Sequence, residues 1–198
     1  GFIITLGTNY NGYVKVEVKV LDINQCFVVI IDVQGNLAKV VADSELANEN
    51  IKKFVQCSLE LNLPIFLTAQ VPEKIGHTTE TVRNLLPEHP EYPRTSFSIW
   101  EDETLRNAIL QCGRKQALLC GFESHICLYQ SAIDLYEYGF EVWMVADGTS
   151  SRNLLNKEIA LNELRGEGIH LTSVEMSLFT LLRDARHPAF KVISKIIR

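Results

Sequence analysis

Two hydrophobic rhythms divide the chain. Near the start, Val14, Val16, Val18 and Val20 alternate with Lys15, Glu17 and Lys19, the period-2 pattern of a strand with one wet face. Residues 1–20 are therefore expected to form an accessory β segment. From Cys26 onward the apolar positions come in short continuous runs: CFVVIID (26–32), PIFLTA (64–69), QALLCG (116–121), EVWMVAD (141–147) and the weaker GIHLTS (168–173). Continuous runs are what strands need when both faces of a parallel sheet are covered.

The text between the runs has helical spacing. Ser44 to Leu61 carries Leu46, Ile51, Phe54, Val55 and Leu59 on one stripe, with Ser44 as the expected N-cap. Segments 102–112, 124–138, 156–165 and 174–183 read the same way, and Gly113, Gly139 and Gly166 are expected to stop three of them. Strand and helix alternate throughout, which predicts an α/β fold of three αβα layers around a doubly wound, mostly parallel sheet. No linker or repeat splits residues 1–198, so a single domain is expected. The stretch Pro87 to Pro93 is the longest irregular segment.

Composition and charge narrow the function. The net charge of −5 comes with 19 scattered Lys and Arg and no basic stripe, which argues against a nucleic-acid partner. The longest apolar runs are too short for a membrane span. A small molecule is the expected partner. The five cysteines, at 26, 57, 112, 120 and 127, form no CxxC pair and no zinc-type set with histidine. Reduced thiols and no metal or cofactor are expected. The first 25 residues show no secretory signal pattern, so an intracellular, cytoplasmic setting is expected, with organelle targeting left open.

In an open parallel sheet the ligand site lies beyond the carboxyl ends of the strands. Asp32 closes the first buried run, and the third runs into Gly121-Phe122-Glu123-Ser124-His125-Ile126-Cys127. With Ser124 as N-cap, Cys127 would sit in the first turn of a helix, where the dipole lowers a thiol pKa. The blander readings stay open: a buried cysteine is commonly a small apolar residue, Asp32 could cap a loop, and Arg94 could be a solvated charge.

Three separated segments together resemble the isochorismatase-like cysteine hydrolases. They are VVIIDVQ (28–34), RTSFSIW (94–100) and LLCGFESHICLYQSAIDLYEYGFEVWMVADGTSSR (118–152). Within that superfamily, LLCGFESHIC, ADGTSSR and the ending DARHPAFKVISKIIR are most similar to the isochorismatase domain-containing proteins. The resemblance implies a six-stranded, Rossmann-like sheet and a homo-oligomer of two or more subunits. It also implies a catalytic triad of Asp32 as base, Arg94 as cation and Cys127 as nucleophile. It further implies a cis peptide between Phe122 and Glu123, and an oxyanion hole from the main-chain N–H groups of Glu123 and Cys127. Gln34 and Trp100 are candidate pocket residues, with packing or polar satisfaction as the alternative for each.

The implied activity is hydrolysis of an amide-like or ester bond in a small molecule through a Cys127 thioester. Two departures qualify it. Arg94 stands where the superfamily commonly has Lys, and a guanidinium that clamps Asp32 through both oxygens would weaken it as a base. The stretch Thr68-Ala69-Gln70-Val71-Pro72 lacks the Asp-x-His metal ligands of nicotinamidases. The competing expectation is a catalytically weak or inactive scaffold that keeps the fold and the pocket.

Overall fold

Each buried strand feeds two cores at once. In the computed structural model, which describes residues 19–198, β1 (Cys26–Ile31) is fully buried along its length. Its odd and even residues separate by face. Cys26, Val28 and Ile30 join one apolar cluster, and Phe27, Val29 and Ile31 join the other. The remaining strands are β2 (Ile65–Gln70), β3 (Glu91–Arg94), β4 (Gln116–Phe122), β5 (Glu141–Ser150) and β6 (His170–Thr172). All pairings are parallel, in the order β3-β2-β1-β4-β5-β6. The accessory β segment expected at residues 1–20 falls almost wholly outside the described residues.

Helices cover both faces. On one lie α2 (Ser44–Glu60), α8 (Val174–Leu182) and α9 (Phe190–Ile196); on the other lie α5 (Glu103–Gln111), α6 (Tyr129–Tyr138) and α7 (Leu154–Gly166). Short single-turn helices α1 (Leu37–Val40), α3 (Pro72–Ile75) and α4 (Glu80–Arg83) occupy the loops after β1 and β2. The chain order reverses direction between β1 and β4, so the loops after these two strands diverge and leave the crevice where doubly wound sheets bind ligands.

Four local expectations need correction. The irregular stretch at 87–93 contains β3, whose Pro93 pairs opposite Ala69. A proline without an N–H is tolerated there because β3 is an edge strand with one neighbour. Ser44 does not cap α2: Asp43, in a left-handed conformation, takes the N-cap position without a side-chain bond. Ser124 is not a cap either, because its hydroxyl is bonded to Thr149 Oγ1. Gly166 lies inside the last turn of α7, and the left-handed residue beyond it is Gly168. Gly113 and Gly139 do take positive φ just past α5 and α6.

One glycine sets how closely β1 and β4 approach. Gly121 has φ +120, and a Cβ there would lie 1.9 Å from the Ile31 carbonyl oxygen. The β4–β5 register shifts at this point, between Leu119 and Gly121. The strand end that leads to Cys127 is thus pressed against the strand end that leads to Asp32. Gly121→Ala is expected to lower stability by roughly 2–4 kcal/mol through strain and backbone displacement, read from the midpoint of denaturant unfolding. An unchanged midpoint would show that the two strand ends can separate freely.

Candidate active site

Asp32 is the first residue past β1 and turns the chain with a left-handed φ of 54 while its N–H donates to the Thr68 carbonyl at 3.1 Å. Arg94 closes β3, two strands away across β2. Two strand spacings amount to roughly 10 Å, a gap that only a long side chain meeting another can close. Arg94 Nη1 donates to Asp32 Oδ1 at 2.7 Å and Nη2 to Oδ2 at 2.8 Å. On the way, Nη1 reaches Thr68 Oγ1 on β2 at 3.2 Å and Nη2 the Phe97 carbonyl at 3.0 Å. Both charged groups are sealed from solvent, at 1% and 4% exposure.

A buried ion pair gains little net energy, but removing one partner strands the other charge, at a cost of about 3–5 kcal/mol. Burial by itself would lower the Arg94 pKa; the bonds and charge of Asp32, with a smaller contribution from Cys127, outweigh it and raise the pKa. The arginine stays charged.

Cys127 stands on the other side of Asp32, on the turn that follows β4. The Phe122–Glu123 peptide bond is cis, and residues Ser124–Leu128 then form one wide π turn before α6 begins. Leu128 N–H donates five residues back to the Glu123 carbonyl at 3.3 Å. Such turns are rare and are frequently found at functional sites. Ser131 Oγ donates to the Cys127 carbonyl at 2.5 Å and accepts from Ile99 N–H at 3.0 Å, which ties the cysteine turn to the loop after Arg94.

Cys127 is 5% exposed, and its thiol lies near enough to Asp32 and Arg94 for both to act on its ionisation. Burial pushes the Cys127 thiol above the usual cysteine range, the Asp32 carboxylate pushes further, and Arg94 opposes them. The lowering expected from a helix start is outweighed. Cys26, Cys57 and Cys120 are pushed up to about 12, burial being the first cause at each.

The other candidates divide. Gln34 is fully buried, and its amide is spent on the backbone: Nε2 donates to the Gln70 and Gly76 carbonyls, and Oε1 accepts from Gln70 N–H. It fastens the loop after β1 to the end of β2, the polar-satisfaction alternative. Trp100 packs on Tyr138 and Phe140, with ring centroids 4.5 and 5.5 Å away. Phe140 in turn meets Phe27 at the start of β1, so Trp100 belongs to the amino-end side of the sheet and does not line the crevice. Glu123 is buried, and its carboxylate accepts from the main-chain N–H of Arg152 at 2.7 Å and from its Nε at 3.1 Å.

Residues that sequence reasoning left unassigned supply much of the scaffolding. Thr68, Ser131, Thr149, Ser151 and Arg152 each bond a residue of the site or its turn. Thr149, Ser151 and Arg152 carried the signal of polar residues at or beyond a strand end, whereas Thr68 lies inside β2 and Ser131 inside α6 and carried none. Among the described residues no group of three or more His, Cys, Asp or Glu side chains is placed to hold a metal, and no helix is long and apolar enough to cross a membrane.

With this geometry in view, the chain can be set beside known proteins. The isochorismatase domain model matches residues 26–176, a span that holds all six strands together with Asp32, Arg94 and Cys127. The secreted isochorismatase effector Isc1 of Phytophthora sojae is 36% identical over 142 residues, covering 70% of this chain and 68% of that protein. Isochorismatase domain-containing protein 1 of Salmo salar is 35% identical over 147 residues, covering 74% of this chain. That match takes in 52% of the relative, so the chain spans about half the length of that protein. The YcaC gene product of Escherichia coli, described as an octameric hydrolase of unknown specificity, superposes with a TM-score of 0.87 at 22% identity. Coverage there is 91% of this chain and 90% of that one, a likeness of fold. The parallel six-stranded sheet, the span of the domain match and the identity to these relatives lead to one assignment: the chain belongs to the isochorismatase family, within which it is similar to the isochorismatase domain-containing proteins.

Proposed function

We propose that the protein is a cysteine-dependent hydrolase of a small molecule, acting on an amide-like or ester bond through a Cys127 thioester. The observation that carries this reading is the meeting of a buried carboxylate, a buried guanidinium and a buried thiol at one sheet edge, from segments 62 and 33 residues apart. Family membership supports the hydrolase class.

In the proposed reaction the Cys127 proton passes to Asp32 as Sγ bonds the carbonyl carbon, and the carbonyl electrons move onto oxygen. The main-chain N–H groups of Glu123 and Cys127 hold that oxyanion, the kind of contribution that commonly dominates such catalysis. Collapse breaks the C–N or C–O bond, and the proton on Asp32 goes to the leaving atom. Asp32 then takes a proton from water as the hydroxyl adds to the thioester. The C–S bond breaks and the proton returns to sulfur. No charged thiolate has to exist before substrate arrives, which agrees with a resting thiol held protonated by burial.

A second reading has its own observation. Both Asp32 oxygens are held by Arg94, so a proton arriving from Cys127 competes with a charge-assisted hydrogen bond at either oxygen. A catalytically weak or inactive scaffold therefore stands as the alternative. Screening amides, esters and ureido compounds for a product that wild type releases and Cys127→Ser does not separates the two.

Three outcomes are expected. The thiol pKa is raised, so the thiolate is scarce at neutral pH, and Cys127 alkylation by iodoacetamide should climb roughly tenfold per pH unit through about pH 9. A plateau below neutral pH would mean a preformed ion pair instead. Arg94→Ala removes the charge that opposes the rise and should slow alkylation roughly tenfold or more. Arg94→Lys should keep most of the rate and, by loosening the fork on Asp32, increase turnover of an activated ester. An Arg94→Ala protein that alkylates at the wild-type rate would remove Arg94 from the site.

Self-association is also proposed. The first turns of α7 expose Leu154, Leu155 and Ile159, and α8 exposes Met176 and Phe179, apolar surface of the kind that subunits cover. Sedimentation at micromolar concentration should give at least twice the 22.4 kDa chain mass. A monomer mass would overturn this.

A further inference from the structure

The π turn that carries Cys127 has little to hold it in place from within. Its N-cap, Glu123, makes no side-chain capping bond, and π geometry is poorly self-supporting. What holds it is the end of β5. Ser124 Oγ is 2.8 Å from Thr149 Oγ1, and Thr149 Oγ1 donates to the Gly121 carbonyl at 2.8 Å. Thr149 has one proton, so Ser124 is the donor of that pair. His125 Nδ1 is 2.9 Å from Ser151 Oγ. Glu123 is held by the main chain and Nε of Arg152. Three consecutive turn residues are thus each bonded, side chain to strand end, and Ser124, Thr149 and Ser151 are fully buried.

We propose that Thr149 at the end of β5, with Ser151 and Arg152 just past it, forms a positioning element that fixes the turn carrying Cys127 and the oxyanion donors against the sheet edge. The proposal rests on the reading of Cys127 as the nucleophile and adds residues to it. Buried hydrogen-bonded networks specify one geometry because any slippage leaves a polar group unpaired in low dielectric. Ser131 pins the Cys127 carbonyl from the α6 side, so the turn is gripped at both ends. Thr149 acts through Gly121 and Ser124 and touches no substrate.

Two small electrophiles separate positioning from bulk stability. Iodoacetamide reacts by displacement: the S–C bond forms, the C–I bond breaks, iodide leaves and the thiol proton goes to solvent. Acrylamide reacts by conjugate addition: Sγ bonds the terminal carbon, the C=C electrons move onto the amide oxygen, and a proton then reaches the adjacent carbon. Only the second reaction builds charge on a carbonyl oxygen, and so only the second draws on oxyanion donors. Thr149→Val should slow acrylamide addition to Cys127 about tenfold more than it slows iodoacetamide. Thr149→Ser, which restores the hydroxyl, should recover the acrylamide rate. Arg152→Ala, which removes the Nε contact but leaves the main-chain N–H on Glu123, should give a smaller loss in the same direction, roughly threefold. Equal slowing of both reagents, or no rescue by serine, would overturn the positioning role. A wild-type Cys127 inert to both would overturn the cysteine reading itself.

Discussion

The Asp32–Arg94 pair is the contact on which the rest of the site depends. It closes a two-strand gap across β2, and its terms are strict: two charges out of water, each satisfied by the other, with Thr68 and the Phe97 carbonyl taking the remaining terminal N–H groups. Because losing either charge leaves its partner stranded, the pair fixes the end of β1 and the loop after β3 together. That loop then passes its Ile99 N–H to Ser131, which holds the Cys127 carbonyl. One ion pair and one hydroxyl thus link all three segments that carry the candidate chemistry.

The same burial explains the resting state of the thiol. A cysteine at a helix start gains from the dipole, yet here desolvation and an adjacent carboxylate act more strongly, and Arg94 recovers only part of the loss. A guanidinium shared with Asp32 has less of its field to spare for sulfur than an unshared cation would. The Arg94 fork on Asp32 therefore bears on the carboxylate's hydrogen bonding and on the thiol's ionisation at once.

Much of the architecture was readable because it rests on short-range pattern. The apolar runs at 26–32, 64–69, 116–121 and 141–147 demanded strands buried on both faces, and their alternate residues do enter two separate cores. Asp102, Asn153 and Ser173 cap α5, α7 and α8 with their own side chains, each accepting from an N–H two or three residues further on. Where the reading failed, a neighbour had intervened. β3 is four residues with a proline inside, and only the presence of β2 beside it makes it a strand. Ser124 was the expected cap until Thr149, 25 residues away, took its hydroxyl.

The candidate site divides along the same line. Sequence alone determined that Asp32 ends a buried strand and that Cys127 follows another by a short turn, since both facts are set by neighbours along the chain. Sequence pattern also drew attention to Gln34 and Trp100, but could not tell what they would meet. Gln34 met three backbone groups and Trp100 met two aromatic rings at the far edge. Whether a polar side chain faces substrate, pairs with a strand end or satisfies a loop depends on which distant atoms lie within about 3 Å of it. That distance is set only when the strands register and the sheet twists, so it was the tertiary structure that joined Arg94 to Asp32 and β5 to the cysteine turn.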